Sequence, residues 1–368
     1  MLKHLIFAVV ALFASPVAAQ TIVTSPAQLV DNSPETPGII IVSAKTTPQV
    51  KPKTVIFPCI GSGPPWRYSV GAPCPAPVQT VAAIAPPVVT TACKDLGASA
   101  QWTYASTGGT YGNACITRAM DAVPLSGALE APRVFQDITL AASRSFVTQR
   151  DTAWKPFANV TLQRFDVTSW KRGIFIRGGS RDWLIQDFRI TGSRINTAVG
   201  DIPVGIGMQG AHNITIARGE VSNFKTKLAT KNYENADCIS NERGDSATII
   251  DVYAHDCTDG IFDLKGTTHL DRVRGANAGH YTLRGWATVT AGTITSENPG
   301  YAHVQLAAAS ANIHIAKLIA IGDANIVKVD KAGGRLVIDE CDFRLSKAKA
   351  LVTGAKATIV WGKGCVLP

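Results

Sequence analysis

Between Asn235 and Gly266 the chain writes one pattern twice: Asp237-Cys238-Ile239-Ser240-Asn241-Glu242-Arg243-Gly244, then Asp259-Gly260-Ile261-Phe262-Asp263-Leu264-Lys265-Gly266. Each copy runs from an acidic residue to a basic residue and a closing glycine, and the copies are 22 residues apart (259 − 237). His255 and Asp256 precede the second copy; His280, Tyr281 and Arg284 follow one repeat later. These residue types suit two kinds of bond cleavage. Elimination beside a uronate needs a base for the C5 proton, cations against the carboxylate and a proton for the leaving oxygen. Lys265 would be the base and Arg284 or Arg243 the carboxylate clamp. Glu242 and Asp263 would orient the lysine or hold Ca²⁺ through oxygen ligands, with no cofactor otherwise required. Hydrolysis instead needs two carboxylates flanking the bond, for which Asp237 and Asp259 stand ready with His280. Arg243, His255, Asp256, Tyr233 and Tyr281 are the candidate substrate-binding residues. The competing reading makes Asp263/Lys265 and Glu242/Arg243 ladder charges that pair across strands.

The elements that must position these groups are short strands. Ala247 to Val252 is a β-branched run between the two copies, and strand, turn and strand return at the same interval, the signature of a coiled β-solenoid. From Asn159 the chain can be laid on this period as eight full rungs and a fragment, ending with Thr358-Ile359-Val360. Each strand alternates apolar and polar residues, and no segment carries ten residues of helical period. If Phe262 and Leu264 point inward, Asp263 and Lys265 point out. Two rungs carry inserts, near Ser193–Pro203 and Asn223–Glu234. Both leave after the same strand, so they should project side by side as the wall of a binding groove.

The rung pattern, with D-C-I-S-N-E-R-G and D-G-I-F-D-L-K-G, resembles the right-handed parallel β-helix of the pectin lyase-like superfamily over roughly residues 155–366. That resemblance implies a protein that binds or cuts sugar polymers. The Lys265/Arg284 pair is similar to the Lys/Arg pair on neighbouring rungs of chondroitinase B-like and alginate-lyase-like enzymes. Asn235-Ala236-Asp237, Asp259-Gly260 and Gly279-His280-Tyr281 fall where polygalacturonases of this fold carry N-T-D, D-D and G-H-G. Ala, Gly and Tyr replace three of those motif residues, and the R-I-K signature is absent. A third expectation is a non-catalytic sugar-binding or envelope-structural solenoid.

The remaining chain sets the context. Residues 1–19 read as a signal peptide: Lys3 and His4, an apolar run from Leu5 to Ala14, and Val17-Ala18-Ala19 before Gln20. No later stretch reaches the length of a spanning helix, so the expectation is an exported, secreted or periplasmic monomer with no membrane span. Export permits disulfides. The eight cysteines are Cys59, Cys74, Cys93, Cys115, Cys238, Cys257, Cys341 and Cys365. Cys238 and Cys257 suit a bridge between rungs, Cys341 and Cys365 a tie on the last one. A net charge of +9 in an exported protein argues for an acidic polysaccharide and against nucleic acid as partner. Residues 20–91 are Pro-, Ala- and Val-rich, a linker or stalk with a cystine loop. Residues 92–155 form a small β-rich segment and solenoid cap, and residues 156–368 the β-helix. Cys59…Trp66-Arg67-Tyr68…Cys74 recurs as Cys93…Trp102-Thr103-Tyr104…Cys115, two small cystine loops with an aromatic mini-core.

Overall fold

The computed structural model describes the backbone of residues 40–43, 94–95, 108–125, 130–149, 156–198, 202–228, 234–345 and 350–367. Their architecture follows from three places per coil where the chain must change direction. Asp137, Arg164, Asp187, Arg218, Asp251 and Arg272 share one register position in the middle of successive long strands, and all are left-handed, with φ between 48° and 55°. A single left-handed residue inside extended backbone turns the strand through a corner without breaking its ladder. At the end of the long strands Asn223, Asp256, Asn277 and Asn298 repeat the device with φ from 46° to 63°. Their short side chains tolerate that backbone better than branched ones. Asn159, Asp182, Asn213 and Ser246 do the same where long strands begin.

The result is an all-β parallel solenoid of about ten turns with no helix among the described residues. Each central coil has a long bent strand and a short one. Arg181–Gly192, His212–Ser222 and Asp245–His255 are successive long strands paired in parallel. Val204–Gln209, Asp237–Glu242, Gly260–Leu264, Tyr281–Gly285, Ala302–Leu306 and Asn325–Val329 are successive short strands, also parallel. Like residues stack inside: Ile185, Ile216, Ile249 and Leu270 occupy one register position and are fully buried. Burying each such side chain contributes about 1.5–3 kcal/mol. Phe165 and Phe188 stack with ring centroids 5.5 Å apart. The next coil places Gly219 against Phe188, where a Cβ would lie 2.2 Å from the ring, so only glycine lets that aromatic stack end there.

The solenoid starts earlier than the pattern suggested. Gly109–Ile116 and Arg133–Gln149 are parallel strands of the same sheet, so described residues of the expected cap form coils rather than a separate cap. Phe135, Ile138 and Leu140 face the core there, with Asp137 at the corner between them. One corner residue inside Arg133–Gln149 shifts the inward alternation, which hides the period from a strand template. Cys238–Cys257 and Cys341–Cys365 are disulfides. The first ties a short strand to the turn of the next coil, the second joins register partners on the last two coils. Cys115 is also disulfide-bonded. Cys59, Cys74, Cys93, Tyr233 and both Trp-x-Tyr motifs lie outside the described residues. The two inserts meet as expected: Lys225–Thr226 pairs in parallel with Ile195–Asn196. No helix among the described residues is long and apolar enough to cross a membrane.

Candidate functional site

The outer face of the short strands carries the chemistry. Period-two alternation and in-register stacking align outward side chains in columns along the solenoid axis, with coils about 4.8 Å apart. One column reads Gly207, Ser240, Asp263, Arg284, Gln305 and Lys328. Asp237 stands beside it, opposite Val204. Glu242 lies opposite Gln209 and meets Lys265 on the following coil.

Asp237, Asp259 and Asp263 converge. Each is almost fully buried, at 4%, 0% and 1% exposure. Asp237 Oδ1 accepts the Gly260 amide N–H at 3.0 Å. Asp259 lies 3.0 Å from His280 Nδ1 through one oxygen and 3.4 Å from Arg284 through the other. Asp263 accepts the Trp286 indole N–H at 2.8 Å and lies 3.0 Å from Lys265 Nζ. Lys265 also bonds Glu242. Arg284 packs over Trp286, 4.9 Å from the ring centroid, and Lys265 lies 5.7 Å from the same ring.

Burial and the neighbouring Asp263 and Asp259 charges push the Asp237 carboxyl well above the usual carboxylate range, only partly offset by the Gly260 N–H and Lys265. A carboxyl that holds its proton more tightly than usual is suited to donate it to a leaving group. Burial works against the Lys265 charge, but Asp263 and Glu242 together outweigh it and raise the ammonium's pKa. Lys265 therefore rests as an ammonium, poorly suited to the base role that elimination assigns it. Glu242 and Asp263, the carboxylates expected to orient the lysine, both pair with Lys265.

Several expected groups do not join the cluster. Arg243 is exposed in a left-handed turn just after Glu242. His255 ends the long strand, held between Glu220 and Asp256 and stacked on Tyr253. Asp256 instead lines a cavity of about 350 Å³ with Lys225, Glu234, Thr258, Asn277 and His280. Arg284 lies opposite Asp263, and Trp286, not Arg284, is the neighbour of Lys265. Trp286, Tyr301 and Gln305 escape the sequence reading, which singles out Lys328 only as part of a basic C-terminal track. Counting one coil length on from Lys265 reaches Trp286, so the period alone could have found it.

No family model, no curated protein and no solved structure matches this chain.

Proposed function

We propose that this chain is a polysaccharide-cleaving β-helix enzyme that hydrolyses an acidic, uronate-containing polymer, with Asp237 as the proton donor. The observation that carries the reading is Asp237 itself: a carboxyl whose pKa burial raises well above the usual range, on the outer face of the solenoid, beside the buried Asp259 and Asp263. Two carboxyl groups in distinct acid and base roles are what acid/base cleavage of a glycosidic bond requires. Asp237 protonates the leaving oxygen. Asp259, aligned by His280 and Arg284, accepts a proton from the attacking water. Arg284 and Lys265 neutralise the uronate carboxylate, and the Trp286 ring offers a sugar-stacking surface. Entry requires Lys265 and Trp286 to swing off Asp263, so that the substrate's own groups replace them. The pectin lyase-like resemblance, the signal-peptide pattern and the net positive charge support the same substrate class.

The test is product analysis on a panel of uronate polymers. Hydrolysis yields new reducing ends without the ultraviolet absorbance of an unsaturated uronate. Asp237→Asn, which keeps shape and removes the proton, should lower kcat by about 10²–10⁴-fold. Ultraviolet-absorbing products would instead establish elimination, and undiminished reducing-end release by Asp237→Asn would remove Asp237 from the mechanism.

A further inference from the structure

From the carboxylate cluster a continuous ribbon of cations and aromatics runs along the axis toward the C-terminal coils. Lys265 lies over Trp286, Arg284 over Trp286 and also over Tyr281, at 5.7, 4.9 and 5.7 Å from the ring centroids. Tyr281 meets Tyr301 edge-on at 5.7 Å, and Lys328 Nζ lies 5.6 Å from the Tyr301 ring centre. Lys265, Arg284 and Lys328 sit on three different coils, so the ribbon spans about 14 Å at the usual strand spacing.

Its outer end is poorly explained by folding. Tyr301 is 41% exposed, one of the few large apolar side chains left open among the described residues. Lys328 forms no ion pair among the described residues, although Asp330 is only two positions away; Asp330 accepts from Gln305 Nε2 instead. Gln305 lies between Arg284 and Lys328 in the same column and is 1% exposed, and its Oε1 has no hydrogen-bond donor among the described residues. A buried acceptor without a donor carries a cost of about 1–3 kcal/mol unless something supplies the bond. An open ring face, an ammonium and an acceptor waiting for a hydroxyl are the three contacts that a sugar acid offers to satisfy: a ring to stack, a carboxylate and hydroxyl groups.

We propose that Tyr301, Gln305 and Lys328 form a distal uronate-binding subsite, and that the bound polymer lies along the solenoid axis from the carboxylate cluster toward the C-terminal coils. The proposal rests on the reading of this face as polysaccharide-cleaving, and adds the direction in which the polymer runs and the residues that select long anionic chains.

The experiment is titration calorimetry of the full-length mature chain with dimers and hexamers of galacturonate, glucuronate and mannuronate, and with cellohexaose as a neutral control. An Asp237→Asn background prevents turnover. At least one uronate hexamer should bind more tightly than its dimer and than cellohexaose. Tyr301→Ala and Lys328→Ala should each weaken hexamer binding about tenfold or less, leave dimer binding unchanged, and leave the melting temperature within a few degrees, as expected for surface side chains. Loss of the hexamer advantage in Lys328→Glu would add the sign of the charge. Hexamer binding unaffected by either alanine variant overturns the subsite, as does a wild-type hexamer no tighter than the dimer, or no binding to any uronate oligomer. Cleavage is read separately. If Asp237→Asn cleaves normally while the length-dependent binding holds, the hydrolytic assignment fails and the subsite stands.

Discussion

At the mid-strand bend Asp137, Arg164, Asp187, Arg218, Asp251 and Arg272 alternate in sign from coil to coil. On the outer face of the short strands Asp237, Asp259, Asp263 and Glu242 share Lys265, Arg284 and His280. The bend charges are half-exposed and paired across coils: Arg164 with Asp137 at 2.7 Å, Arg218 with Asp187 at 2.7 Å, and Arg272 with Asp251 at 2.6 Å and also with the adjacent Asp271. Arg164 also feels Asp187, and Arg218 feels Asp251, so the ladder is continuous. Charges that stay in water cost little to keep and gain little by pairing. The three aspartates of the outer-face cluster are out of water, and burial together with the Asp263 and Asp259 charges raises the Asp237 pKa well above the usual carboxylate range. The same residue types thus serve register at one place and create a reactive group at the other. Solvent access decides which.

That contrast can be broken from either side. The largest effect is expected for Asp263→Ala, which leaves the Lys265 ammonium with Glu242 alone and the Trp286 N–H without its acceptor. Breaking a buried pair on one side costs about 3–5 kcal/mol, measurable as a lowered urea midpoint; a shift under about 1 kcal/mol would mean that the cluster is solvated after all.

Next in size is the pH dependence. His303 is fully buried against Ser296, and burial pushes its pKa down to about 4. Its unfolded value lies higher, near 6.5, so between those values the unfolded chain binds a proton that the native chain refuses. Stability is therefore complete above about 6.5 and falls by roughly 3 kcal/mol as pH drops through the window. The non-titrating His303→Gln should lose that slope. Asp237 runs the other way. Its native pKa is raised, so above the ordinary carboxylate value near 4 the native state keeps a proton that the unfolded chain has released. Stability therefore declines as pH rises toward the native value, and Asp237→Asn should flatten that limb. Urea titrations across pH check both, and equal slopes in wild type and variants would show that neither group is buried in solution.

The smallest effects belong to the bend. Arg218→Ala loses a half-exposed ion pair, worth about 0.2–1 kcal/mol. Arg218→Gly loses the same pair but relieves a left-handed φ of 52° that costs a non-glycine residue roughly 1 kcal/mol, and should be close to neutral. A loss above about 2 kcal/mol in either variant would place the ladder among cooperative networks rather than isolated surface pairs.

Much of this was legible in the residues themselves. The interval between Asp237 and Asp259, the β-branched runs and the absence of helical period imply a parallel solenoid. The pairing of Cys238 with Cys257, the meeting of the two inserts and the contact between Glu242 and Lys265 follow once the period is known, because neighbours one coil apart must touch. The coils before residue 156 were not legible, since a left-handed corner residue such as Asp137 shifts the alternation within one long strand. Nor were the partners of Lys265 and Arg284. A one- or two-residue difference in coil length decides whether Arg284 faces Lys265 or Asp263, and turn geometry, not composition, sets that difference. Sequence by itself determined which residues alternate, repeat and carry charge. Only the tertiary structure decided which charges leave water, because burial of Asp237, Asp259 and Asp263 depends on what Trp286, Lys265 and Arg284 cover from other coils, and desolvation is a property of that assembled surface.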